Sequence, residues 1–100
     1  PSQLASRLSG RIAALAYGAY RDALRARAVS DTLRLIASLE VSLLAPPTAY
    51  YLDDAMYLLA QTLAARGHGA DAASVAQRLL RDHPTSPFAN SITRGIAAAP

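Results

Sequence analysis

Two histidines, two adjacent aspartates and a row of arginines are the residues of this 100-residue chain with chemistry to offer. His68 lies between Gly67 and Gly69, and His83 precedes Pro84. A helical metal pair needs i, i+4 spacing and a further ligand at matching distance, and neither histidine has them. They read instead as a turn residue and a helix-end residue, the second favourably placed against the helix dipole. Asp53-Asp54 could share acid–base work only in a pocket that splits their environments. Their position suits negative charge in the first turn of a helix. The serines are scattered without a nucleophile elbow. Gly67-His68-Gly69 lacks the following glycine and lysine of a phosphate loop. Cysteine is absent, which removes disulfides, thiolate catalysis and Cys-type zinc sites. The expectation is a protein without catalytic residues, cofactor or metal, and not an enzyme.

Charge leaves one feature. All ten basic residues are arginine, and residues 1–50 hold six of them against three carboxylates. Residues 51–100 hold four arginines against four aspartates, so the net charge of +3 belongs to the first half. On a helix turning about 100° per residue, Arg7, Arg11, Arg21 and Arg25 share one arc. Such an arc reads first as a solvated helix face; its functional reading is an acidic protein partner, which it would steer but is too sparse to bind tightly alone. The alternative use is docking on an anionic membrane surface or on nucleic acid. Nucleic acid is disfavoured, because a stacking platform needs basic residues among its aromatics. Tyr50, Tyr51 and Tyr57 have none near them in sequence, and with Tyr17, Tyr20 and Phe88 they read as packing residues.

The elements that would hold these residues are all helical. Leu4, Leu8, Ile12, Leu15, Ala19, Ala23 and Ala26 recur at steps of three and four, predicting a long amphipathic helix over 3–27. Ser30 and Asp31 offer capping oxygens to a second helix, whose stripe is Leu35, Ile36, Leu39 and Leu43. Pro46-Pro47 closes it. A third helix is expected over 49–66, with Leu52, Ala55, Met56, Leu59 and Leu63 on one face, ended by Gly67. A fourth, over 70–82, carries Ala72, Val75, Ala76, Leu79 and Leu80 and stops before Pro84. Ser86-Pro87 caps a fifth helix, where Ile92 and Ile96 stand one turn apart. No strand pattern appears.

The chain also repeats. A shift of 37 residues places Pro47-Thr48 on Pro84-Thr85, Tyr51 on Phe88, Ala55 on Ile92 and Leu59 on Ile96. It likewise places Leu35, Ile36, Leu39 and Leu43 on Ala72, Ala73, Ala76 and Leu80. A fixed period in this range marks a helical solenoid.

Leu59-Ala60, Leu63, Gly67, Ala72 and Pro84 stand in the order large-apolar, small, large-apolar, turn, small and helix stop. With them the stretch from Pro47 to Phe88 resembles a tetratricopeptide repeat. Residues 29–46 fit loosely and 1–28 hardly at all. The 37-residue spacing and the run Pro84-Thr85-Ser86-Pro87-Phe88-Ala89 look like the subclass of bacterial envelope proteins. That subclass includes the periplasmic coordinator of the Tol–Pal system and the outer-membrane assembly lipoprotein. Met56 and Ala76 depart from the pattern, where aromatics are common. The resemblance implies antiparallel helix pairs, a role in binding proteins, and a periplasmic or envelope location. It also implies that the first helix of the pair lines a groove, putting Asp54, Tyr57 and Gln61 on the groove face. The carboxylate clamp of chaperone-type members needs Lys or Arg and Asn there, so that ligand class is not expected.

The fold class expected is therefore all-α, a short solenoid of antiparallel helix pairs with a long N-terminal helix. One helical domain is expected over 1–100: an amphipathic helix (1–28), a degenerate half-repeat (29–46), the best repeat (47–84) and a further helix (85–100). Hydrophobic residues make up 52% and charged residues 17%, which is more apolar and less charged than an ordinary small domain. Something is expected to cover that surface: another protein, subunits of a larger complex, or a second copy. The expected function is a protein–protein interaction scaffold or accessory subunit. Its expected contact residues are Asp54, Tyr57 and Gln61 in the groove, Phe88, Ile92 and Ile96 on the last helix, and the four arginines of the first.

Overall fold

A computed structural model describes residues 3–94 of the chain, and the side chains of residues 3–92. Among the described residues the protein is all helical, with five helices and no strand. They are α1 (Gln3–Ala28), α2 (Thr32–Ser42), α3 (Leu52–Ala65), α4 (Gly69–Asp82) and α5 (Ala89–Arg94). The chain divides into two compact units, Pro1–Ala49 and Tyr50–Pro100. The division falls just past the Pro46-Pro47 pair.

In the first unit α1 and α2 form an antiparallel pair. Their contact is lined from α1 by Ala16, Ala23 and Ala26, and from α2 by Leu35, Leu39 and Ser42, all buried. Alanine has no side chain to hold the backbones apart, so these helices can approach closely. Ser42 Oγ donates to the Leu39 carbonyl at 2.5 Å, which satisfies the one buried polar side chain of this face. The pair is unequal. At about 1.5 Å per residue, α1 runs for roughly 39 Å and α2 for roughly 17 Å. The N-terminal half of α1 has no second helix beside it within the unit.

In the second unit α3 and α4 pair in the same way, and α5 packs on α4. Leu52, Ala55, Met56, Leu58, Leu59 and Ala60 of α3 are buried, together with Ala72, Ala76 and Leu79 of α4 and Ile92 of α5. Leu58 lies outside the stripe expected for α3, so the helix is buried over more than half its circumference. Leu63, Val75 and Leu80, expected in the core, are half-buried.

Both pairs turn through the same backbone device. After α1, the Asp31 N–H donates to the Ala26 carbonyl at 2.9 Å, and Ser30 takes a φ of 59°. After α3, the His68 N–H donates to the Leu63 carbonyl at 2.9 Å, and Gly67 takes a φ of 83°. The six-to-one hydrogen bond with a left-handed residue just before its donor is a Schellman motif. Ser30 and Gly67 are 37 residues apart, as are Asp31 and His68. The starts of α2 and α4 (Thr32, Gly69) and of α3 and α5 (Leu52, Ala89) keep the same offset. The period seen in the sequence is thus also a period of helix starts and turns. Its two copies differ at the cap. Asp31 accepts a hydrogen bond from the Arg34 N–H at 3.3 Å, whereas His68 makes no side-chain cap.

Candidate functional site

The features that could engage a partner lie separately in the two units. In the second, the residues expected on a groove are drawn into an internal cluster. The Tyr57 and Phe88 rings stack with centroids 4.8 Å apart and planes 20° from parallel. Gln61 Nε2 donates to the Tyr57 hydroxyl at 2.9 Å. Beside them Ser86 Oγ donates to Asp53 Oδ2 at 2.7 Å, and the Phe88 N–H donates to Ser86 Oγ at 3.1 Å. Ser86 Oγ thus holds the turn before α5, which begins at Ala89 and not at the expected Pro87, and ties that turn to the first turn of α3. Asp53 also accepts from the Asp54 N–H at 3.0 Å, consistent with first-turn charge.

Phe88 and Tyr57 are half-buried, and Gln61 remains exposed. The structure therefore brings Tyr57, Gln61 and Phe88 together, with the Phe88 ring stacked on Tyr57. The expectation that Ile92 offers an outward apolar face is corrected: its side chain is fully buried. Ile96 lies outside the described residues. The Asp53–Ser86 bond joins residues 33 apart, and the sequence carries no signal for it beyond the Ser-Pro cap.

His68 is exposed at its turn. His83 ends α4, its N–H donating to the Leu79 carbonyl at 2.8 Å, and its Nε2 is buried without a partner among the described residues. No group of metal-binding side chains assembles among the described residues. At the end of α4, Arg81 Nε donates to Asp82 Oδ1 at 3.0 Å, and Arg78 Nε stands 3.6 Å from Asp82 Oδ2. The Arg81 hydrogen bond holds the Asp82 carboxyl below the ordinary aspartate range. The same bond raises the Arg81 guanidinium.

The first unit presents an open surface. Leu4, Leu8, Ile12 and Leu15, read from the sequence as the core stripe of the long helix, are 63%, 49%, 46% and 66% exposed. The helix period was sound, but the face packed on α2 is rotated toward Ala16 and Ala23, and α2 is too short to reach the leucines. Beside the stripe, Ser9, Gly10, Ile12 and Ala13 of α1 and Leu44 and Pro46 beyond α2 line a shallow cleft of about 450 Å³. Leu44 is itself exposed. An added Cβ at Gly10 would meet nothing within 4 Å, so the cleft is open at that point.

The four arginines of α1 are all exposed, but their surroundings differ. Arg25 is paired with Asp22 at 2.8 Å, and the Arg21 guanidinium lies 6.0 Å from the centre of the Tyr17 ring. Arg7 and Arg11, alongside the apolar stripe, have no partner among the described residues. No described helix is long and apolar enough to cross a membrane. No protein-family model, curated protein or solved structure matches the chain.

Proposed function

We propose that this protein is a protein-binding helical module, a scaffold or accessory subunit of a larger assembly, and that its first unit carries the contact surface. One observation supports this most directly. Of the eleven large apolar side chains exposed among the described residues, ten belong to the first unit and one, Tyr50, to the second. Scattered apolar residues on a surface need no explanation, but a contiguous stripe marks an interaction site. Leu4, Leu8, Ile12 and Leu15 form such a stripe on consecutive turns of α1. The scarcity of charge on the chain adds to the argument, since few ionised groups oppose association. The resemblance of residues 47–89 to a tetratricopeptide repeat is in keeping with a binding role, and its envelope subclass with a place in the bacterial periplasm.

Sedimentation of the isolated chain, run beside a fluorescent hydrophobic dye, tests the reading. The expected outcome is dye binding or self-association that falls when Leu8 and Ile12 are replaced by Glu. A chain that stays monomeric at high concentration and binds no dye overturns it.

A further inference from the structure

The stripe and the cleft of the first unit share Ile12, and together they specify more than a generic apolar surface. Leu4, Leu8, Ile12 and Leu15 span twelve residues, about 16 Å of helix or three turns. Helix-in-groove recognition uses apolar anchors at i, i+3 or i+4, and i+7 on the incoming helix. A helix lying along α1 would meet this stripe in register, one anchor per turn. The stripe lies beyond the point where α2 ends, and the cleft lined by Gly10, Ala13, Leu44 and Pro46 touches it at Ile12.

Charge narrows the occupant. Arg7 and Arg11 border the stripe, and α1 has no acidic residue before Asp22, which is already paired with Arg25. We propose that this face receives an amphipathic helix of a partner protein, acidic along the edge that meets Arg7 and Arg11. This inference rests on the protein-binding reading above and names the partner's chemistry. A second copy fits poorly. In a symmetric dimer the same patch faces itself, so the positive edge of one copy would meet the positive edge of the other. A lipid surface fits poorly too. An interfacial helix needs a strongly charged or polar face toward water. The side of α1 away from the stripe carries Ser6, Gly10, Tyr17 and Leu24, with Arg21 as its one charge. A concave cleft also gives no advantage against a flat bilayer.

The test is a displayed library of helical peptides, panned on the whole chain at low and high salt. Each peptide has Leu at i, i+4, i+7 and i+11, with Glu, Gln or Lys randomised at the flanking positions. Enriched peptides should carry Glu along one flank. Their affinity should fall roughly tenfold in Arg7→Glu/Arg11→Glu, with most of that difference lost at high salt. Ile12→Asp should abolish binding while the helical circular dichroism of the chain is kept. Enrichment without a charge preference, or with Lys flanks, overturns the acidic partner and leaves the protein-binding reading standing. Binding that survives Ile12→Asp overturns this face as the seat. The absence of any enriched helix overturns both. Anionic phospholipid vesicles and sedimentation of the chain alone are run in parallel. Vesicle binding or a dimer lost in Arg7→Glu/Arg11→Glu/Ile12→Asp would assign the face to lipid or to a second copy instead.

Discussion

In the first unit Ala16, Ala23 and Ala26 of α1 are buried, while Leu4, Leu8, Ile12 and Leu15 stand in solvent. In the second unit Leu52, Met56, Leu58, Leu59 and Leu79 are inside, and among the described residues only Tyr50 of the large apolar side chains is outside. Yet the two helix pairs turn through the same hydrogen bond and the same left-handed residue, 37 positions apart. The difference shows that a shared turn does not dictate what a helix pair buries. Helix length does. α3 and α4 have 14 residues each and cover one another along their length, whereas α1 has 26 and α2 has 11. The unmatched part of α1 leaves its leucines in solvent. Burial of alanine removes little apolar area, so the first pair gains less from its own packing than the second.

The contrast breaks most visibly by truncation. Leu79→Ala should destabilise the second unit by about 2–5 kcal/mol, because a fully buried leucine leaves a cavity. Leu15→Ala, at an exposed position, should stay within about 0.5 kcal/mol. Denaturant titration of both variants checks this, and equal costs would mean that the first unit buries its leucines after all. Next in size is overpacking. Ala60 of α3 and Ala72 of α4 are both fully buried on the packed pair. Ala60→Phe should cost about 1–3 kcal/mol, read as a lower melting midpoint. An unchanged midpoint would show that the small residue is not needed for close packing.

The turns give a smaller effect, of opposite sign in the two units. Gly67 sits at a φ of 83°, so Gly67→Ala should destabilise by about 1 kcal/mol. Ser30 already bears a Cβ at a φ of 59°, so Ser30→Gly should stabilise by up to about 1 kcal/mol by relieving it. The same sign in both variants would argue that the two turns are not equivalent in energy. The smallest effect is acidic. The hydrogen bond from Arg81 lowers the pKa of Asp82, so its stabilising contribution is present above the ordinary aspartate pKa. It fades as pH falls through the lowered value. Asp82 is exposed, so Asp82→Asn should leave a slight loss near neutrality that disappears in strong acid. A loss that persists unchanged at low pH would remove the ion pair as its cause.

Much of the fold was legible because its signals are local. Helix periods, the Asp31 cap and Gly67 as a terminator depend on neighbours within a few residues. The exposure of the α1 stripe was not legible. Leu4, Leu8, Ile12 and Leu15 form a valid helical stripe, and a stripe by itself reads as core. Tyr57 and Gln61 stand one helical turn apart, joined by a hydrogen bond, but no local rule places Phe88 over Tyr57. Ile92 read as an outward face for the same reason, since sequence order does not show how α5 packs on α4.

The sequence by itself determined five helices, their turns and a 37-residue period, because caps, glycines and prolines act through short-range sterics and hydrogen bonds. Tertiary structure decided which apolar faces are inside. That choice depends on how far one helix runs beside another, and in the first unit α2 stops before it can cover the leucines of α1. It also decided which arginines are free. Arg25 and Arg21 find Asp22 and Tyr17, and Arg7 and Arg11 are left beside an uncovered stripe, because only packing fixes what stands next to a long side chain.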